Sequence, residues 1–223
     1  MLNFKDETLG FFIGRVFNEL GERAKTDPRR VLEAVIQRAE SDYGFRFKLG
    51  AEHEFFLLSG DEFGEKGHSD QAGYFQSTPH DKGEKVRNRI ISILKASGIN
   101  FEKAHHEVTP SQHEINLDCT GPLDAADRTV LFNHVTQKVA AENGFHATFM
   151  PKPLFEENGS GMHVHQSLWK DGEPLFFGDG YASLSQTALW YMGGILKHAS
   201  ALLAFCAPTT NSYRRLVPGY EAP

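Results

Sequence analysis

Apolar residues recur along the chain with two periods, and the switch from one to the other marks out the elements. Between Asp27 and Gly44 they fall at Val31, Leu32, Val35, Ile36 and Ala39, the spacing of a helix with one buried stripe. Asp27 suits the N-cap, Pro28 the first helical position, and Gly44 ends the run. Phe45 to Leu58 changes to period two, with Phe47 and Leu49 on one face before an acidic pair, Glu52 and Glu54, which predicts a strand. Residues 59–83 are polar and rich in turn formers around Gly73-Tyr-Phe75, and long loops of this kind inside a compact domain are often functional. A second helix is expected from Lys82 to Ser97, with Val86, Ile90, Ile93 and Leu94 on one face. Ile99–Val108 and Gln112–Leu117 read as two strands around Thr109-Pro-Ser111, a hairpin that brings Glu107 and Glu114 together. Asp124 is the expected cap of a third helix that Asn143-Gly144 stops. Strands follow at Phe145–Met150, Met162–Leu168 and Glu173–Phe177, then a long helix over Leu184–Ala204 that is weakest at Gly193-Gly194. Residues 207–223 show no regular pattern, and Leu9–Ile13 and Gly14–Phe17 read as short strands. Alternating strands and helices by themselves favour an α/β fold.

Composition narrows the function. A net charge of −6 excludes a general nucleic-acid or anionic-membrane surface, both of which call for clustered Lys and Arg. The amino terminus has acidic residues where a signal peptide carries basic ones, and no run approaches the ~18 apolar residues of a membrane span, so a cytoplasmic protein is expected. Cys119 and Cys206 lie far apart in apolar settings without a Cys-x-x-Cys pair, and are expected as buried free thiols. The 18 phenylalanines are scattered among aliphatic residues and read as core.

Three strands carry chemistry where a core strand would not: Glu52-His-Glu54, His105-His-Glu107 with Glu114, and His163-Val-His165. An edge strand with one wet face explains Glu52 and Glu54 taken alone, and satisfied histidines explain His163 and His165. Together they put four carboxylates and one or two imidazoles into one sheet. Like charges 4 Å apart repel by about 4 kcal/mol at an effective dielectric of 20, so the cluster calls for cations. Carboxylates without thiolate suit hard ions such as Mg2+ or Mn2+, and a pair of them is the arrangement used in phosphoryl and acyl chemistry. Asn158-Gly-Ser-Gly161 does not match a P-loop, and Arg214 and Arg215 read equally as a solvated face or an anion site. On the residues alone, a metal hydrolase fits.

The longer motifs are more specific. Gly50-Ala-Glu-His-Glu-Phe-Phe-Leu57, Gly73-Tyr-Phe75, His105-His-Glu-Val-Thr-Pro-Ser-Gln-His-Glu114, Asn158-Gly-Ser-Gly-Met-His-Val-His165 and Pro208-Thr-Thr-Asn-Ser-Tyr-Arg-Arg-Leu-Val-Pro-Gly-Tyr-Glu-Ala-Pro223 resemble glutamine synthetase of the bacterial and archaeal type, in order and spacing. The resemblance implies an α+β fold, a curved and largely antiparallel sheet flanked by helices, in place of α/β. It implies ATP-dependent ligation of L-glutamate with ammonia through γ-glutamyl phosphate, with two ions, Mg2+ or Mn2+, per site. Glu54, Glu107 and Glu114 match the ligands of the first ion, and Glu52 and His163 two ligands of the second. Glu102, His165 and Ser167 match nucleotide-contacting positions. Asn158, Gly159, His163 and Arg215 match substrate-binding positions. Tyr74 and Glu221 match the ammonium site and its flap, and with Arg215 form the catalytic set.

The resemblance also implies a homo-oligomer, the family's dodecamer, with active sites between subunits. Residues 1–24 are expected as a remnant of the family's amino-terminal β-grasp domain and linker, and 25–223 as a partial catalytic domain truncated at both ends and inactive alone. Gln76 follows Gly73-Tyr-Phe75 where an acidic or apolar residue is commoner, which leaves a γ-glutamyl-amine ligase using methylamine or a polyamine as an alternative. A non-catalytic relative is another, although no matched ligand position is lost.

Overall fold

In the computed structural model, residues 2–4, 7–60 and 67–221 are described. The centre of the fold is β3 (Arg46–Ser59), a 14-residue strand. It pairs with β6 (Gln112–Leu117) on one side and β8 (Met162–Lys170) on the other, while β5 (Phe101–His106) and β9 (Glu173–Pro174) extend the sheet to the order β5-β6-β3-β8-β9. The short β4 (Gly67–His68) and β7 (His146–Thr148) pair with the far end of β3. Every pairing is antiparallel. The strand–helix alternation therefore misleads as to fold class, because it carries no information on strand direction; the fold is α+β.

Parity along β3 sorts core from site. Phe55 and Leu57 join Ile115 and Leu117 of β6 under α2 (Glu84–Ala96) and α3 (Pro122–Glu142), whose Val86, Ile90, Ile93, Leu94, Phe132, Val135 and Val139 are all buried. Each such side chain contributes roughly 1.5–3 kcal/mol by burial. Residues one step out of phase, Glu52 and Glu54, point to the other face. There Glu54 opposes Glu114, Glu52 opposes Asn116 on β6 and His163 on β8, and His105 of β5 opposes Glu114.

The first helix, α1 (Pro28–Tyr43), has the expected ends: Asp27 accepts from the Arg29 N–H at 3.0 Å, and Gly44 closes it in the left-handed region at φ 70°. Other expectations need correction. The cap of α3 is Gly121 with Pro122 at the first position; Asp124 sits in the first turn, pairing with Arg128 at 2.6 Å. The long helix is two, α4 (Gln186–Lys197) and α5 (Ala199–Cys206), and breaks at His198 instead of at the glycines. A further helix, α6 (Thr210–Arg215), lies where no pattern predicted one, nucleated by a capping box between Thr209 and Ser212.

Near the amino terminus, β1 (Leu2–Phe4) pairs with β2 (Glu7–Leu9), but residues 10–17 form no strand beyond a single bridge from Phe17 to Arg23. Gly10 and Gly14 interrupt the run, and among the described residues no neighbouring strand supplies a ladder. Both cysteines are exposed: Cys119 in the link after β6, and Cys206 at the end of α5, which buries none of its residues. Phe12, Phe155, Phe177 and Phe205 are exposed as well, so not all the phenylalanines are core.

Candidate functional site

The carboxylates lie along one face of the sheet. At its β5–β6 end, His105 sits between two of them, Nδ1 3.3 Å from Glu107 and Nε2 3.3 Å from Glu114. All three residues are buried or nearly so, and their ligand atoms lie within 4.8 Å of one another. The Glu114 contact is not aligned as a hydrogen bond, which leaves His105 Nε2 a buried polar atom without a partner. Burial pushes the Glu107 carboxyl up to about 7; Glu114 and Glu54 add to the rise and His105 opposes it. Burial likewise raises Glu54, with Glu114 adding repulsion. Such a group of acids fits a cation that replaces their protons, and the all-oxygen and imidazole donor set fits a hard divalent ion.

One strand over, Glu52 accepts from Asn116 Nδ2 at 2.6 Å and lies 3.3 Å from His163 Nδ1 and 2.9 Å from His165 Nε2. Burial works against its ionisation, but the His165 contact and Lys103, 3.7 Å away, hold its carboxyl below the usual range. Both histidines are exposed, and so are Met162 and Val164 on the opposite face of this half of β8. Ser167 continues the same face and accepts from Trp169 Nε1 at 2.9 Å. Glu102 is exposed at a bulge in the edge strand β5, three strand spacings from β8, or roughly 14 Å.

Gly161 joins the two groups. Its N–H donates to Glu54 at 2.9 Å, and a methyl group on its α-carbon would lie 2.9 Å from Arg215 Nη2, 3.1 Å from Glu54 Oε1 and 3.2 Å from His163 Nε2. The bare glycine thus leaves a cradle bounded by a guanidinium, a carboxylate and an imidazole. Gln112 braces the cradle from below, donating to Glu54 at 3.1 Å and to the Gly159 carbonyl at 3.0 Å. Asn158 meets Glu221 through two hydrogen bonds of 3.4 Å. Tyr74 stands edge-on to the His105 ring at 5.4 Å while Phe75 stacks on it at 4.6 Å. Gln76 turns away and accepts from Gly73 N–H at 3.0 Å, closing a turn.

Of the residues singled out in the sequence, Glu54, Glu107 and Glu114 come together, as do Glu52, His163 and His165, with Arg215 and Gly159 beside them. Glu102 has no contact with the others among the described residues. His105, in one of the three charge-bearing strands, was given no ligand role, and Gln112 and Asn116 were given none at all. His105 shares strand parity with Glu107, a signal that was there to be used. A second buried group, Asp70, Asp81, His106 and His113, has ligand-like spacing too. The Arg87 guanidinium fills it, 2.6 Å from Asp81 and 2.7 Å from His113 Nδ1, so its charge is already balanced without an ion.

The glutamine synthetase catalytic-domain pattern matches residues 25–223. The glutamine synthetase of Methanosarcina mazei is 46% identical over 214 residues, 95% of this chain and 48% of that one. Among solved structures, Plasmodium falciparum glutamine synthetase superposes with a TM-score of 0.83 at 31% identity, over 93% of this chain and 47% of that one. A GmaS/ADP complex superposes with a TM-score of 0.80 at 35% identity, over 89% and 47%. The chain thus spans about half the length of the relatives it matches.

Proposed function

The chain belongs to the glutamine synthetase family, and from that premise we propose that it serves the ATP-dependent ligation of L-glutamate with ammonia through γ-glutamyl phosphate. The observation that carries the reading is the cradle at Gly161, where Arg215 comes beside Glu54 of one group and His163 of the other. In this reading Glu54, Glu107 and Glu114 hold one divalent ion, Mg2+ or Mn2+, and Glu52 with His163 a second. Bound ions supply neutralisation of the phosphate charge and polarisation of the transferred phosphoryl group.

The remaining work falls to the chain. Asn158 and Gly159 orient glutamate, and the Arg215 guanidinium offsets the charge that develops on its activated carboxylate. Ammonia nitrogen bonds to the γ-carbonyl carbon as the bond to phosphate breaks. Glu221, assigned with Tyr74 to the amine end, takes the proton. Its tie to Asn158 supports a closing role, since an acyl phosphate must be shielded from water. Glu102, His165 and Ser167 are assigned to the nucleotide, in keeping with a neighbour solved as an ADP complex. Residues 1–24 are assigned to the amino-terminal β-grasp domain and its linker, and 25–223 to the catalytic domain of a homo-oligomer.

The test is ATP turnover by the full-length, assembled protein with glutamate and ammonia supplied together and singly, and with methylamine or a polyamine in place of ammonia. Turnover that requires both glutamate and ammonia supports ligation. Turnover with the alkylamine alone would move the reading to a γ-glutamyl-amine ligase, and hydrolysis indifferent to glutamate would overturn it.

A further inference from the structure

Behind the carboxylate face, Asp70 is buried in the loop between β4 and α2 and does not touch the site itself. Its Oδ1 accepts from the Ser111 N–H at 2.9 Å, from His106 Nε2 at 3.1 Å and from the Ala72 N–H at 3.3 Å, and its Oδ2 from the Lys82 N–H at 3.1 Å. The Ser111 hydroxyl returns the contact, accepting from the Ser69 N–H at 2.7 Å and the Asp70 N–H at 3.3 Å. One carboxylate therefore ties together the β5–β6 turn, the end of β5 and the entry to α2.

What it holds is specific. The other nitrogen of His106, Nδ1, faces the Glu107 carbonyl at 2.6 Å. Both ring nitrogens thus face acceptors, and the ring is held between the Asp70 carboxylate and the Glu107 backbone. Ser111 stands in the left-handed region at φ 67°, which a serine adopts only when its surroundings hold it there, and its carbonyl accepts from the Leu57 N–H at 2.9 Å. Glu107 lies before this turn and Glu114 after it. The same loop then returns Tyr74 and Phe75 to the His105 ring, with the Phe75 N–H donating to the His106 carbonyl at 3.1 Å.

We propose that Asp70 is a positioning residue for the ion site, fixing the backbone of Glu107 through His106 and the spacing of Glu107 and Glu114 through Ser111. This rests on the reading that those two glutamates hold an ion. A buried charge partner of this kind acts on affinity: loss of an outer partner typically weakens metal binding 10–100-fold. Removing Asp70 takes away the acceptor of both His106 Nε2 and the Ser111 N–H, and with it the ties that fix the ring and the turn.

The experiment is Mn2+ titration of the full chain, followed by the spectroscopic signal of the free ion, together with thermal melting. In Asp70→Ala, Mn2+ affinity should fall about 10–100-fold. In Asp70→Asn, which keeps an acceptor but not the charge, it should fall by less; should the alanine variant not fold, the asparagine variant carries the test. Asp27→Ala is the comparison, a buried cap of α1 remote from the sheet face, and should lower the melting temperature while leaving Mn2+ affinity within about twofold. Folded Asp70 variants with wild-type affinity would overturn the proposal. So would an Asp27 variant that weakens Mn2+ as much as Asp70→Ala, because the effect would then be one of stability alone. Absence of Mn2+ binding in the wild-type chain would sink the ion-site reading itself.

Discussion

Glu54 and Glu114 stand directly opposite each other across the β3–β6 ladder, two carboxylates where a sheet ordinarily pairs opposite charges or apolar residues. Glu54 nevertheless uses one oxygen, Oε2, for both of its hydrogen bonds, from Gly161 and Gln112, and leaves Oε1 toward the cradle. Glu54→Gln can keep both bonds and remove the repulsion. The ion-free protein should gain about 0.5–1 kcal/mol in urea denaturation while Mn2+ binding collapses. A variant that is less stable without the ion would show that the opposed pair is not strained.

Proton and ion compete for Glu107. With its carboxyl pushed up to about 7, the group is protonated below that pH and must release its proton for an ion to bind. Mn2+ affinity should therefore fall about tenfold per unit as the pH drops below about 7, and level off above it. In Glu107→Gln this dependence should flatten. Titrations at pH 6, 7 and 8 read the slope directly.

The two glycines of the loop before β8 should separate stability from function. At Gly159 a methyl group would collide with the Pro151 carbonyl and lie 2.6 Å from Arg215 Cγ, so Gly159→Ala should destabilise by about 1–3 kcal/mol. At Gly161 the neighbours are the ends of three flexible side chains, which can move aside. Gly161→Ala should leave stability within about 0.5 kcal/mol. Turnover efficiency should drop about 100-fold, because Arg215 and His163 are displaced from the cradle. Melting curves and turnover on the same preparations test both halves.

His53 carries a separate pH dependence on the core face. Burial lowers its imidazole to about 4, while its Nε2 pairs with Thr129 Oγ1 at 3.1 Å and its ring stacks on Phe132. The unfolded chain binds a proton at this residue more readily, so the contribution is full above about 6.5 and is lost as the pH falls toward about 4. Between pH 7 and pH 5 this amounts to about 2 kcal/mol. In His53→Gln the stability loss over that interval should shrink by that amount in urea titrations.

The sequence made the periodic elements legible and left the long-range ones hidden. The capped ends of α1, the Gln112–Leu117 strand and the shared parity of Glu52 and Glu54 all follow from local rules, and the structure contains them, whereas the apolar stripe of α1 buries no residue and leaves Val31 and Val35 exposed. Strand direction was not legible, because it depends on which strand each β-element meets. Nor was the inner network legible. Asp70 lies 36 residues from His106 and 41 from Ser111 in the chain, and in a polar loop an acid that anchors a turn looks like any solvated acid. His198, which breaks the long helix, and Thr209 and Ser212, which start α6, are equally plain in sequence, since their effect depends on what their backbone groups find nearby.

Because core and cradle occupy opposite faces of β3, the strand tolerates two unlike kinds of change and forbids a third. Substitution at Phe55 or Leu57 erodes stability with the ligand face intact, and substitution at Glu52 or Glu54 does the reverse. Loss of a single residue between Gly50 and Glu54 would do both at once. It would turn Glu54 under α2 and α3 and Phe55 toward the ion face. The strand behaves as a reading frame, in which a point change alters one function and a shift scrambles both.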